Sequence, residues 1–146
     1  MTAKLVLDTH AMQEEFFSDC ALIGIVSAVP GYRFCGLINS SFNLKLKRDI
    51  KSDIELKTHQ KVTYHFALYR YDMPMNSNRY SVYQLKTDKQ WLLPELKNFD
   101  YIFMLHGPNA DEDAQQYMDA LRAMGEVQMA QTIPLDRLKN IDNLIV

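Results

Sequence analysis

Two carboxylates and a phenol share one short stretch of this chain. In WLLPELKNFDYIFMLHG, Trp91 to Gly107, Glu95 and Asp100 lie close together beside an apolar run, with Tyr101 next and His106 at the far end. Closely placed carboxylates against apolar surface can act as a general acid and base, and a tyrosine or histidine within reach could share the proton. The same residues have a plainer use. Glu95 directly follows Pro94, where proline at a first helical position puts the carboxylate over the turn's N-terminus, and aspartate is common where a turn becomes a strand. Tyr101 at a strand start is more often a half-buried packing residue with a satisfied hydroxyl. The structural use is the expectation for all three.

Other chemistry finds less footing. His106, Asp111 and Asp113 could be drawn as a metal site, but their spacing matches no closed ligand set, and acids at a helix start already serve its dipole. No metal is expected. Ser40-Ser41 lack a nucleophile elbow, and neither a Gly-rich phosphate loop nor GxGxxG occurs, so no cofactor is expected. Lys45, Lys47, Arg48 and Lys51 form the best nucleic-acid candidate; Asp49, Asp53 and Glu55 interrupt it, which makes a solvated strand face the better reading. His65 reads as a partly exposed sheet residue, and His10 and His59 lie in polar surroundings.

The elements that must position these groups follow from periodicity. With 146 residues, 47% hydrophobic and 23% charged, the chain has the size and apolar content of one domain, residues 1–146. A net charge of −2 with mixed signs gives no footprint for nucleic acid. The longest apolar run, Cys20 to Val29, is far short of the roughly 20 residues a membrane span needs. With only a short apolar run after Lys4 in place of a signal peptide, a soluble cytoplasmic protein is expected, with Cys20 and Cys35 as reduced structural thiols.

AKLVLD, 3–8, reads as a first strand. EEFFSDCALIGIVSAV, 14–29, places Phe16, Cys20, Ile23 and Ser27 at helical spacing, although the β-branched run around Ile25 leaves a strand open. YRFCGLINSSFN, 32–43, repeats that spacing, so a helical pair is expected near the N-terminus. LKLKRDIK, 44–51, and DIELK, 53–57, read as strands; VTYHFALYRY, 62–71, is the clearest strand and RYSVYQLK its hairpin return. Asn109 as N-cap, Glu112 closing a capping box and Gly125 as stop predict a helix over 110–124. With strands at 101–106 and in EVQMAQTI, this reads as a βαβ crossover or half of a split βαβ arrangement. The expected fold is α+β, a mainly antiparallel sheet of about five to seven strands with an N-terminal helical pair and a C-terminal crossover helix.

LPELKNFDY, 93–101, resembles the motif of the bacterial IPExxxVDY family, with Leu93 for isoleucine and Phe99 for valine, while Pro94, Glu95, Asp100 and Tyr101 match as written. LIGI at 22–25, YRFCGLIN at 32–39 and the C-terminal LKN and NLIV pieces extend the resemblance. It implies no reaction, cofactor or partner. A separate echo lies within the chain: LKNFD at 96–100 recurs as LKNID at 138–142, each shortly after a proline, Pro94 or Pro134. What repeats is a proline-started turn.

Function is therefore expected to be binding: a non-catalytic protein-interaction module, self-associating or meeting a protein partner through surplus aromatic sheet surface at Tyr69 and Tyr71. Burial of that face under the helices is the competing reading. The alternative function is a small enzyme or ligand-binding protein with a pocket around Glu95, Tyr101 and His106.

Overall fold

The computed structural model describes residues 16–48, 50–57, 60–87, 90–139 and 141–144. The strand expected at 3–8 and the histidines at 10 and 59 lie outside them. The described chain is α+β, with the six-stranded sheet antiparallel throughout.

One of its interior strands is β1, Cys20–Val26, in the segment whose spacing fitted a helix. Residues 20–26 are thus strand where the first member of the helical pair was expected. Ile23, Ile25 and Val26 are β-branched and favour the extended chain, and both faces of the strand are covered, so the alternation that marks a one-sided strand never shows. The second member forms as expected: α1, Gly31–Phe42, buries Phe34, Cys35 and Ile38 on one stripe. Asn43 ends it in the left-handed conformation, at φ 55°, which asparagine tolerates better than most residues. The Asn39 amide then grips the backbone of Leu46 through two hydrogen bonds, 2.8 and 3.1 Å long. That grip keeps 44–46 out of the sheet, and only β2, Lys47–Arg48, pairs, before a 3-10 turn at Ile50–Ser52.

The clearest strand of the sequence is divided at Ala67. β4, Thr63–Phe66, pairs with β3, Ile54–Lys57, while β5, Leu68–Asp72, joins the main sheet beside β6, Arg79–Gln84. Alternation of side chains runs through the division unbroken, with Phe66 and Leu68 in one core and Ala67 and Tyr69 in the other. Periodicity therefore reads correctly across a change of hydrogen-bond partner. The return strand divides similarly after Gln84, where β7, Lys86–Thr87, pairs with β8, Gln90–Trp91.

β9, Tyr101–His106, and β10, Met129–Ile133, both pair antiparallel with β1 and are connected through α2, Ala110–Arg122. This is the split βαβ unit, with β1 in the gap. The helix buries Ala110, Ala114, Met118 and Leu121. Asn109 makes no side-chain cap bond, contrary to the expected capping box. Backbone bonds from Ala110 N–H to Gly107 O and from Asp113 N–H to Asn109 O close the first turn instead. The helix ends at Arg122, before Gly125, and the Arg122 guanidinium donates to Ala130 O at 2.9 Å.

One sheet therefore separates two cores. The helices cover Ile23, Ile25, Tyr69, Val82, Tyr101 and Phe103; the opposite core joins Leu22, Tyr83, Ile102 and Met104 to residues of the small β-pairs and the 3-10 turns. Gly24 lies on the second face, where a Cβ would meet Ile133 Cδ1 at 2.5 Å and the Phe99 ring at 2.8 Å. Gly24→Val is expected to destabilise the fold by about 1–3 kcal/mol through overpacking, read from urea denaturation; an unchanged midpoint would show that Phe99 is not fixed there.

Candidate functional site

Asp100 and Tyr101 sit where β9 begins, opposite the end of β1. The Asp100 N–H donates to Ile25 O at 2.8 Å and its carbonyl accepts from Leu85 N–H at 3.0 Å, so its backbone joins both neighbours of β9. Its carboxylate Oδ2 accepts the N–H of Ser27 at 2.9 Å. Tyr101 donates its hydroxyl to Val29 O at 2.5 Å, while its ring stacks on Phe34 of α1 at 4.4 Å. Burial pushes the phenol well above its ordinary value, with the Asp100 charge adding to it. Tyr101 therefore stays protonated and keeps donating. Ser27 completes the arrangement by donating to Glu126 O at 2.7 Å and accepting from Val29 N–H at 3.3 Å.

Glu95 lies elsewhere. It belongs to the 3-10 turn Pro94–Leu96, with proline at the start as expected. Its Oε2 accepts the backbone N–H of Lys139 at 2.6 Å, so the first copy of the repeated turn holds the second. Pro134 likewise precedes a 3-10 turn, Leu135–Arg137. A turn this short carries little dipole, and the bond to Lys139 gives the carboxylate a partner outside its own turn.

His106 is at the opposite end of β9 from Tyr101, about 16 Å along the strand. Its Nε2 contacts Phe16 O at 2.7 Å and its Nδ1 is buried without a partner. Burial lowers its pKa, against the hydrogen bond to Phe16 O, which raises it. Glu95, Tyr101 and His106 thus occupy three places and share no pocket. Nor do Tyr69 and Tyr71 offer an exposed face: Tyr69 is 7% exposed, and Tyr71 packs half-buried against the core that the helices cover, stacked on Tyr80. The helices took that face because α1 and α2 both need an apolar surface to lie on.

A cleft of about 680 Å³ does open beside Asp100 and Tyr101, between the 27–32 loop and the edge of the sheet. Tyr69 forms part of its lining, with Arg48, read from the sequence as part of a solvated basic strand face, and with Gln84 and Lys86, which the sequence reading passed over. The legible signal was Pro30-Gly31 before a helix with no acid in its first turn. Arg48 is held by Asp53 at 2.7 Å, and the Lys86 ammonium stands 5.1 Å from the centre of the Trp91 ring. Both thiols are free; burial pushes Cys20 and Cys35 up to about 12, with Asp111 adding to Cys20. Thiolate chemistry is remote at neutral pH. Among the described residues no three histidine, cysteine or acidic side chains gather as metal ligands, and no helix is long and apolar enough to cross a membrane.

Compared with protein-family models, curated proteins and solved structures, the chain matches none.

If these carboxylates are tethers, Asp100→Ala should cost about 1–3 kcal/mol, the worth of a hydrogen bond to a charged group, and Asp100→Asn should keep much of it. Glu95→Gln should cost less, about 0.5–1 kcal/mol, since its bond is exposed and an amide oxygen can still accept. Thermal melts of the three variants decide; Asp100→Ala melting at or above the wild type would remove the tether reading. His106 generates a pH prediction. Its folded pKa lies below the unfolded value near 6.5, so its stabilisation is full above that value and is lost as pH falls toward the lowered one. Urea midpoints should therefore drop more between about pH 7 and pH 5 for the wild type than for His106→Gln; parallel profiles would exclude His106 as the cause.

Proposed function

We propose that this chain is a non-catalytic binding module of the cytoplasm whose working surface is the cleft under the 27–32 loop. The observation that carries this reading is how Asp100 and Tyr101 are used. One holds the backbone of Ser27 and the other that of Val29, so each uses an oxygen to keep one wall of the cleft in place. A preformed concavity with a few polar groups is what a small-ligand site requires. Turnover fits less well. Asp100 has one oxygen engaged, Tyr101 is a bound donor, and His106 is remote from both, which leaves the best acid and base candidates without a shared substrate position.

On this reading the LPELKNFDY stretch, and the IPExxxVDY resemblance with it, describes a clamp: Pro94 and Glu95 fix the repeated turn, while Asp100 and Tyr101 fix the loop. A protein partner, or a second copy of the chain, would meet the same place through Tyr32, which stands 75% exposed on the rim. The tyrosine sheet face is not part of the proposal, because Tyr69 and Tyr71 are taken up by the core.

The test is a melting-shift screen of small molecules against the wild type and Ala28→Trp, which places an indole at the mouth of the cleft from an exposed position. A ligand at 100 times its Kd stabilises by about 2.7 kcal/mol, which gives a visible shift. Ligands that raise the wild-type melting temperature should lose that effect in Ala28→Trp, whose own melting should match the wild type. Hits that stabilise both proteins equally would place the site elsewhere, and chemical conversion of a hit would overturn the non-catalytic assignment.

A further inference from the structure

We infer that the cleft takes the phosphoryl group of a small phosphorylated polyol, seated on the first turn of α1; the inference rests on the cleft being the binding site. The first three N–H groups of a helix have no intrahelical acceptor. In α1 these are Gly31, Tyr32 and Arg33, while the N–H of Phe34 closes the first turn on Pro30 O. No side chain caps this end, and its first turn holds no acid. The other long helix meets the same need with Asp111, Glu112 and Asp113. The α1 end therefore keeps its donors and its partial positive charge, the combination that binds phosphate.

Tyr69 supplies an independent indication. It is 7% exposed, yet its hydroxyl has no hydrogen-bond partner among the described residues and forms part of the cleft lining. The hydroxyl stands over the helix end: a Cβ added to Gly31 would lie 3.1 Å from it. The residue as a whole is nearly buried while its oxygen stays accessible, and the open direction is into the cleft. A Cβ at Gly31 would crowd both this hydroxyl and Gln84 Oε1, so glycine is what lets the helix end stand this close to them.

The charges of the lining agree. The Arg48 guanidinium retains donors beyond those engaged by Asp53, and Lys86, whose ammonium stands over the Trp91 ring, lines the same cleft. The acceptors of the lining narrow the ligand further. Gln84 Oε1 lies 3.1 Å from the same Gly31 Cβ position, and its amide is oriented by Nε2 donating to Lys86 O at 3.0 Å. Asp100 adds a carboxylate with one oxygen bound to Ser27. A bare anion would face these oxygens with nothing to donate. A phosphate monoester carrying hydroxyls satisfies both sides, giving its oxygens to the helix end and Tyr69 and its hydroxyls to Gln84 and Asp100.

Amide NMR titration of the full chain tests this with glycerol 3-phosphate, inorganic phosphate and glycerol as probes. Both phosphates should move the Gly31, Tyr32 and Arg33 resonances, glycerol should not, and the ester should bind more tightly than inorganic phosphate. Tyr69→Phe, which keeps the buried ring, should weaken the ester about tenfold, as loss of a hydrogen bond to a charged group does. Lys86→Gln, on the exposed side of the cleft, should weaken it a few-fold and reduce the salt dependence of binding. Silent amides at 31–33 with about 10 mM ester, or equal affinity in wild type and Tyr69→Phe, overturn the inference. A neutral ligand whose binding is blocked by Ala28→Trp while both phosphates stay silent overturns the phosphoryl assignment alone and leaves the cleft standing. A phosphoserine peptide that binds more tightly than glycerol 3-phosphate overturns the assignment to a small polyol.

Discussion

From Leu22 to Ile25 the peptide groups of β1 are paired on both edges, and this constraint shapes the rest of the molecule. Its edges are occupied by ladders to β9 and β10, and its faces by side chains of two cores. A strand in that position must complete its backbone hydrogen bonds with its neighbours, because an unpaired buried peptide group is costly. Both neighbours run antiparallel to β1 and hence parallel to each other, so the chain between them needs a long crossover, which α2 provides. The segment leaving β1 meanwhile emerges at the start of β9. That places Ser27 and Val29 within reach of Asp100 and Tyr101.

From this follows the character of the 27–32 loop. A connection between a central strand and a helix would ordinarily be a mobile surface segment. Here three polar side chains hold it at its backbone: Asp100 at Ser27, Tyr101 at Val29, and Ser27 across to Glu126. The Tyr101 ring on Phe34 extends the same restraint into α1. Rigidity of this kind favours recognition, since a site already in its bound shape loses little entropy on binding. The bare N-terminus of α1 fits the picture, because capping by a side chain would occupy the donors that such a wall presents.

Much of this was legible in the residues. The α1 stripe, the β5–β6 hairpin, the strand at 101–106, the crossover helix and the proline-started turns all follow from local spacing, and local spacing is what those elements obey. The proline-started turn at Glu95 and the strand entry at Asp100 and Tyr101 were legible as well, though the partners of these side chains were not. Lys139, Ser27 and Val29 are far away in sequence, and no local rule connects them. β1 was misread for a physical reason: Leu22 and Ile23 point to opposite faces, but both faces are buried, so the period of two is hidden under uniform hydrophobicity. The tyrosine face failed similarly. Tyr69 and Tyr71 alternate as an exposed face would, and only the tertiary placement of α1 decides that they are covered.

Covering both sheet faces also limits where a ligand can be met. A sheet with one bare face can dock a partner broadly across it; a sheet enclosed by two cores leaves its ends and edges. At the His106 end of β9, the imidazole is occupied by Phe16 O and ring contact with Phe16, and its remaining nitrogen is buried. At the Tyr101 end, the sheet edge, the α1 terminus and the side chains of Arg48, Gln84 and Lys86 converge around open space. The two ends of one strand thus divide the work. One closes the structure, and the other presents polar groups whose hydrogen-bonding capacity the fold itself does not exhaust.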